Sequence, residues 1–419
     1  MSRAAIRKFT ALWAYVIKWL LLASATAALA GSASALFLFA LDWATATRTQ
    51  QPWLVWLLPL VGFGVGWVYL RYGQQVEAGN NLLIDEIHDP KKVVPLRMAP
   101  LVLGSTVLSH LFGASVGREG TAVQMGGALA DQITHHLKLD HEDRRVLLMA
   151  GIAAGFASVF GTPLAGALFG LEVLVIGRMR SDAWFPCLWA ALLADQITVL
   201  WGIQHSHYTA GALPAITPIG LLATLAAGAV FGLTGRGFAA ATHGLSTFLK
   251  HWITKAPLRP LLGGTLIAAT VHLWPDAQRY LGLGLPVIAE AFTHPLPWQD
   301  ALAKLAFTVV SLGTGFKGGE VTPLFFIGAT LGNALAPLLE QPFALLAALG
   351  FVAVFAGAAN TPIACTVMAL ELFGPGIGVY AALACAVSYL FSGHSGIYRA
   401  QRILHHKPTR PAAPTQVED

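Results

Sequence analysis

Long apolar stretches separated by short polar interruptions run through the whole chain. Residues 9–41 carry a single charge, Lys18, and predict one tilted membrane helix. Residues 53–70 predict a second span. The passage from Glu77 to Lys92, EAGNNLLIDEIHDPKK, is too short and too polar to span, and predicts a re-entrant half-helix. Residues 97–112 lead into Gly117-Arg118-Glu119-Gly120-Thr121, and residues 119–135 follow on. From Val146 to Leu171 there is no charge, and Glu172 closes the run. Residues 184–203, with Asp195, predict another span, and residues 217–249, with only Arg236, a long helix or a pair. Residues 261–274, 281–291 and 302–316 are shorter segments. From Gln341 to Leu370 there is again no charge, Glu371 closes that run, and residues 372–398 lack Asp, Glu, Lys and Arg. The last fifteen or so residues, rich in Pro and His, read as a disordered tail.

The two halves repeat one another. Glu119-Gly120-Thr121 recurs as Glu320-Val321-Thr322, 201 positions on. Thr162-Pro163-Leu164-Ala165, followed by Leu171-Glu172, recurs as Thr361-Pro362-Ile363-Ala364 with Leu370-Glu371, 199 positions on. Two landmarks with nearly one offset predict an internal duplication. Short, unevenly spaced membrane helices favour an inverted repeat over a parallel one. The expected architecture is an all-α, multi-pass membrane protein with two inverted repeats and broken or re-entrant helices. Its expected parts are an N-terminal segment and first helix (1–49), a first repeat (50–210), connecting helices (211–254), a second repeat (255–395) and a terminal stretch (396–419).

Composition sharpens this picture. Hydrophobic residues make up 55% of the 419 and charged residues only 11%, where a soluble domain carries about 25%. The 43 glycines and 23 prolines suit broken, closely packed membrane helices. The net charge of +5 gathers at the ends, with Arg3, Arg7 and Lys8 at one and Arg399, Arg402, Lys407 and Arg410 at the other. Flanking cations favour the cytoplasmic side, so both termini are expected there, in a cell membrane. The first apolar run continues past Ala33 into LFLFALDW, as a retained helix does. Basic residues without a stacking platform argue against nucleic acid. Cys187, Cys365 and Cys385 match no metal motif and read as small buried residues.

The candidate chemistry lies at the two repeated motifs. A carboxylate at membrane depth is costly and usually faces a pathway or a partner. Glycines before a helix start let unsatisfied N–H groups and the positive dipole end face an anion. Two such starts in corresponding halves point to a transporter's central site. The residues alone therefore predict a transporter for a small anion with an ionisable gate. Glu119 is the candidate gate for proton and anion; the bland reading is a capping carboxylate. Glu320 is a candidate coupling residue, or else a cap or a partner of Lys317. Thr322 offers a hydroxyl, with Pro323 in the first helical turn. Asn80, beside Asn81 and after Gly79, reads as an N-cap or an anion-binding amide. Tyr398 reads as an interfacial aromatic or a ligand. Gly117, Arg118, Gly120 and Val321 complete the candidate anion-binding set. A rival from another class is a serine hydrolase, since residues 113–117, Gly-Ala-Ser-Val-Gly, match G-x-S-x-G. That motif needs a strand–turn–helix and His and acid partners, and the preceding run is helical. The fourteen histidines include His205, His207, His405 and His406, but no H-E-x-x-H occurs. Neither enzyme activity nor a cofactor or metal is expected.

At these residues the chain resembles the CLC superfamily of anion channels and proton-coupled antiporters, from about residue 50 to residue 400. Gly117-Arg118-Glu119-Gly120 followed by TAVQMGG is the most specific match. Gly319 to Pro323 is similar to the family's G-x-F-x-P. Residues 155–172 resemble its helix pair after the gate, and Tyr398 its late tyrosine. The resemblance implies a homodimer, one pathway per subunit, inverted repeats, Glu119 as gating glutamate and Tyr398 against the central anion. Three positions depart from the usual pattern. Thr121 stands where Pro is usual, Asn80 in Gly79-Asn80-Asn81-Leu82-Leu83 replaces the serine of G-S-G-I-P, and Val321 replaces Phe. This set resembles the CLC-F branch of fluoride/proton antiporters, which implies fluoride and protons as the transported species. The alternatives are a chloride/proton antiporter or a passive anion channel. The second glutamate of many chloride antiporters is sought in Gln204-His205-Ser206-His207 and is not evident there.

Overall fold

The computed structural model describes residues 3–205, 208–211 and 213–408. They form an almost purely helical fold. The first half runs through α1 (Arg3–Gln50), α2 (Leu58–Val68), α3 (Asn80–His88), α4 (Met98–Phe112), α5 (Glu119–His136), α6 (His141–Phe160), α7 (Pro163–Glu172) and α8 (Trp184–Leu200). The long α9 (Pro218–Trp252) connects it to the second. That half comprises α10 (Leu258–Leu273), α11 (Leu285–Glu290), α12 (Gln299–Thr314), α13 (Val321–Leu339), α14 (Phe343–Ala359), α15 (Pro362–Phe373) and α16 (Gly378–Phe391). Among the described residues, five helical stretches are long and apolar enough to cross a membrane.

Helix α1 exceeds the predicted 9–41 at both ends. Its 48 residues span about 72 Å at 1.5 Å per residue, more than twice a hydrocarbon core. Leu21, Leu36 and Trp43 stay exposed along it, as on a lipid-facing surface. The segment read as a long helix or a pair is one helix, α9, capped by the Thr217 hydroxyl accepting from Gly220 N–H at 3.0 Å. The polar passage at 77–92 does contain a half-helix, α3, only nine residues long.

The duplication is visible in the packing. Helices α5 and α6 meet at Gly126 and Gly151, where a side-chain carbon on either would collide with the other's carbonyl oxygen. Helices α13 and α14 meet the same way at Gly328 and Gly350. Such small-residue contacts let membrane helices approach backbone to backbone. The relation between halves is inverted. Glu172, ending α7, accepts from the N–H groups of Ile363 (3.0 Å) and Ala364 (2.8 Å) at the start of α15. Glu371, near the end of α15, accepts from Leu164 (2.9 Å) and Ala165 (2.8 Å) at the start of α7. Each short helix caps the other's orphan donors, which only an antiparallel pair can do. Between the halves, Phe156 and Phe169 both stack on Phe355 (6.3 and 6.0 Å) and Phe160 meets Phe325 (5.2 Å).

The terminal stretch corrects the expected tail. Residues Arg402–Ile403 pair in parallel with Val175–Ile176. The Lys407 ammonium donates to Asn360 Oδ1 (2.6 Å) and Ser392 Oγ (3.1 Å). The packed chain therefore extends through Lys407, because backbone pairing and a buried ammonium hold it. Residues 409–419, the rest of that tail, lie outside the described residues.

Candidate anion and proton site

The two repeated motifs meet. Gly117 N–H donates to Gly319 O (2.6 Å) and Gly319 N–H to Gly117 O (2.8 Å), a single antiparallel bridge between the halves. Helices α5 and α13 then start within two residues of it. Glycine is required for this approach. A Cβ on Gly319 would lie 2.7 Å from Gly120 N, and one on Gly117 2.9 Å from Pro323 Cδ.

Glu119, the first residue of α5, is fully buried. Its Oε2 accepts from the backbone N–H of Arg118 and of Thr322, both at 3.1 Å. Its Oε1 accepts the Thr322 hydroxyl, with Arg118 Nε 3.5 Å away. A carboxylate from one half thus fills a set of donors drawn from both helix starts. It does accept from an N–H at its own helix start, as the bland reading had it, but two of its three hydrogen bonds come from Thr322 across the bridge.

Asn80 is not the N-cap. That position is Gly79, at φ 59° and ψ −126°, a conformation costly for any side chain. Asn80 is the first helical residue, and its amide nitrogen approaches Gly120: a Cβ there would lie 3.2 Å from it. Its Oδ1 is buried without a protein partner. Asn81 has a separate task, accepting from Ala400 N–H at 3.0 Å and tying down the segment that carries Tyr398. Tyr398 is buried, its ring 6.3 Å edge-on from Phe169, so it is no interfacial aromatic. Asn80, Glu320 and Tyr398 line one cavity of about 750 Å³.

Other expectations need correction. Glu320 makes no side-chain capping bond and no ion pair with Lys317; it lines the cavity instead. Val321 packs into the apolar core, 1% exposed, so it contributes packing and not a ligand. Ser115 follows a helix, not a strand; its hydroxyl bonds Thr308 Oγ1 (2.9 Å), and its N–H donates to Ser311 Oγ (2.9 Å). Without a His or acid partner it is a buried structural serine. His205 packs on Gly161 at the end of α6 opposite the one where Lys18 pairs with Asp143. Gln204 and His205 therefore lie at the face opposite the N-terminal end of α1, wrong for a proton path from that end; Ser206 and His207 lie outside the described residues.

Two supports had no sequence signal strong enough to find them. Thr121, standing where proline is usual, bonds the Thr106 hydroxyl at 2.7 Å and ties α5 to α4. Arg144 of α6 binds Asp131 of α5 (2.7 Å) and Glu86 of α3 (3.2 Å). A buried pair of this kind fixes geometry more than it adds stability. Here it joins the helix bearing Asn80 to the helix bearing Glu119.

The family profile described as Voltage gated chloride channel matches residues 61–393. A "Chloride/fluoride channel protein" of Pseudomonas syringae pv. tomato is 65% identical over 95% of this chain and 89% of its own length. The "H(+)/Cl(-) exchange transporter ClcA" of Cronobacter sakazakii is 28% identical over 84% of this chain and 81% of its own. Among solved structures, a CLC-type fluoride/proton antiporter superposes with a TM-score of 0.89 at 35% identity, covering 92% of this chain and 98% of that one. A slow cyanobacterial Cl⁻/H⁺ antiporter shares the fold, with a TM-score of 0.79 at 20% identity over 91% of this chain and 96% of that one.

Proposed function

The chain belongs to the voltage-gated chloride channel (CLC) family, and from that premise we propose that it exports fluoride from the cell in exchange for protons, with Glu119 as the gate. One observation carries the reading: the Glu119 carboxylate occupies a donor set built for an anion. Deprotonated, it blocks the path as a tethered anion. Protonated, it loses the charge those donors favour, swings out and yields its place. One position then serves both species, which is the condition for coupling them.

Fluoride is small and strongly hydrated, so replacing its water requires strong, hard donors. The Thr322 hydroxyl and N–H and the Asn80 amide supply them at the gate, with the Tyr398 phenol on the cavity wall. Neutral HF crosses lipid and dissociates inside, so export needs an energy source, and an inward proton gradient provides one. The 35%-identical structure named as a fluoride/proton antiporter supports this reading. The relative named as a chloride exchanger supports the chloride alternative. The protein acts without cofactor or chemical catalysis, as a homodimer with cytoplasmic termini. The test is reconstitution into liposomes with fluoride efflux, chloride efflux and proton flux recorded side by side. Chloride release as fast as fluoride release under one proton gradient would overturn the fluoride assignment.

A further inference from the structure

Three cationic side chains, Lys250, Arg259 and Lys317, line the cavity in front of Asn80 and Tyr398, and Lys317 lies nearest in the chain to Glu320. Lys317 lies in the loop between α12 and α13, three residues before Glu320, and lines that cavity. Its Nζ sits 4.2 Å from the centre of the Tyr69 ring. Two acids, Glu77 and Glu320, share the cavity wall, yet among the described residues neither forms an ion pair with Lys317. Tyr69 is placed for this contact by an irregularity. It opens a π-helical turn, Tyr69–Gly73, directly after α2. The ring lies so close to the turn that a Cβ on Gly73 would be 2.7 Å from its Cδ1. Such turns are rare and occur frequently at functional sites.

A lysine held by a carboxylate has its field largely cancelled nearby. An aromatic face holds an ammonium by its quadrupole and leaves the net charge in place. Lys317, with Lys250 and Arg259 on the same wall, therefore adds positive charge to a cavity with low-dielectric walls, where field lines focus and local anion concentration rises. We propose that Lys317, steadied over Tyr69, forms a loading site for the transported small anion in the inner cavity, ahead of Asn80. This rests on the anion–proton exchange reading and adds a capture step to it. The site attracts without stripping the anion's water: one ammonium and a wide cavity do not replace a hydration shell. Selection is left to the tighter donors at the gate.

The experiment uses full-length protein in liposomes, with initial fluoride efflux measured against internal fluoride and proton uptake recorded in the same vesicles. Lys317→Gln should raise the KM for fluoride by about tenfold, with the maximal rate and the fluoride-to-proton ratio unchanged. Lys317→Arg should keep the wild-type KM. Lys317→Cys adds an independent arm, because Cys187, Cys365 and Cys385 are all buried and an impermeant thiosulfonate reaches only the new thiol. An ethylammonium adduct should restore the KM, and a sulfonate adduct should raise it further. An unchanged KM in Lys317→Gln, or equal rescue by both adducts, would overturn the proposal. Absence of fluoride-driven proton uptake in the wild type would instead sink the fluoride–proton reading. The loading site would then be scored by the same series with chloride.

Discussion

The hydroxyl and N–H of Thr322 close on the carboxylate of Glu119 from 203 residues away in the chain. The gate and its latch thus come from different halves of the molecule. Neutralising the carboxylate should disable the coupling but not the fold, since an amide fits the same volume. In Glu119→Gln, fluoride-driven proton movement should fall to background in liposomes, while anion movement persists or stops outright. Undiminished proton movement would refute the gate assignment.

Thr322→Val removes one donor while keeping shape. Hydrogen bonds to charged groups contribute about 1.5–3 kcal/mol, so the preference for fluoride over chloride should fall by about tenfold or more. Thr322→Ser should retain most of it. Paired fluoride and chloride efflux rates on the three proteins decide this, and equal preferences in all three would remove Thr322 from the selective set.

Asn80→Ser should also narrow the fluoride preference, because it withdraws the amide nitrogen from beside Gly120. Val321→Gly should do so indirectly, by loosening the packing that fixes the donors. Buried ligands discriminate only when held in place. The comparison is again of relative efflux rates; a preference left intact in Asn80→Ser would mean that the backbone donors suffice.

The reciprocal caps give a stability prediction independent of transport. Glu172→Ala strands the N–H groups of Ile363 and Ala364, and Glu371→Ala those of Leu164 and Ala165. Each loss should cost about 1–3 kcal/mol and lower the thermal midpoint in detergent. A size-exclusion thermal melt checks it. Wild-type midpoints in both variants would show that the caps are dispensable.

The dimer prediction rests on family membership. Crosslinking or single-molecule photobleaching in membranes should give two subunits, and a population of monomers alone would contradict it.

Much of the site was readable from local sequence. A glutamate flanked by glycines within an apolar run has few roles, and its recurrence after 201 residues marked the partner motif. What local reading missed depends on contacts across the fold. Glu172 and Glu371 were visible as the ends of two uncharged runs, but which helix start each would cap is decided by the antiparallel docking of α7 and α15. Val321 was placed among ligands because it fills a motif position, whereas its side chain turns to the core. Proximity in sequence offers Lys317 as one bland partner for Glu320; the Tyr69 ring, 248 residues earlier, is out of reach of a local argument. Sequence does not say at which face the loop carrying Gln204 and His205 emerges; the packing of His205 on Gly161 does.

The glycine contacts bear on how the molecule works as a machine. Between Gly126 and Gly151, and between Gly328 and Gly350, two backbones touch with no side chain between them. Side chains can repack as helices slide, but bare backbones in contact cannot slip by a fraction of a turn without collision. Each half is clamped within itself at the helix pair that begins beside Glu119 or Glu320, and the Gly117–Gly319 backbone bridge ties the two halves where those helices start. On the proposed mechanism the moving part is the Glu119 side chain, turning about its own bonds within that frame. Turnover should then be set by the barrier to that rotation and its proton, and should respond weakly to bilayer viscosity and thickness.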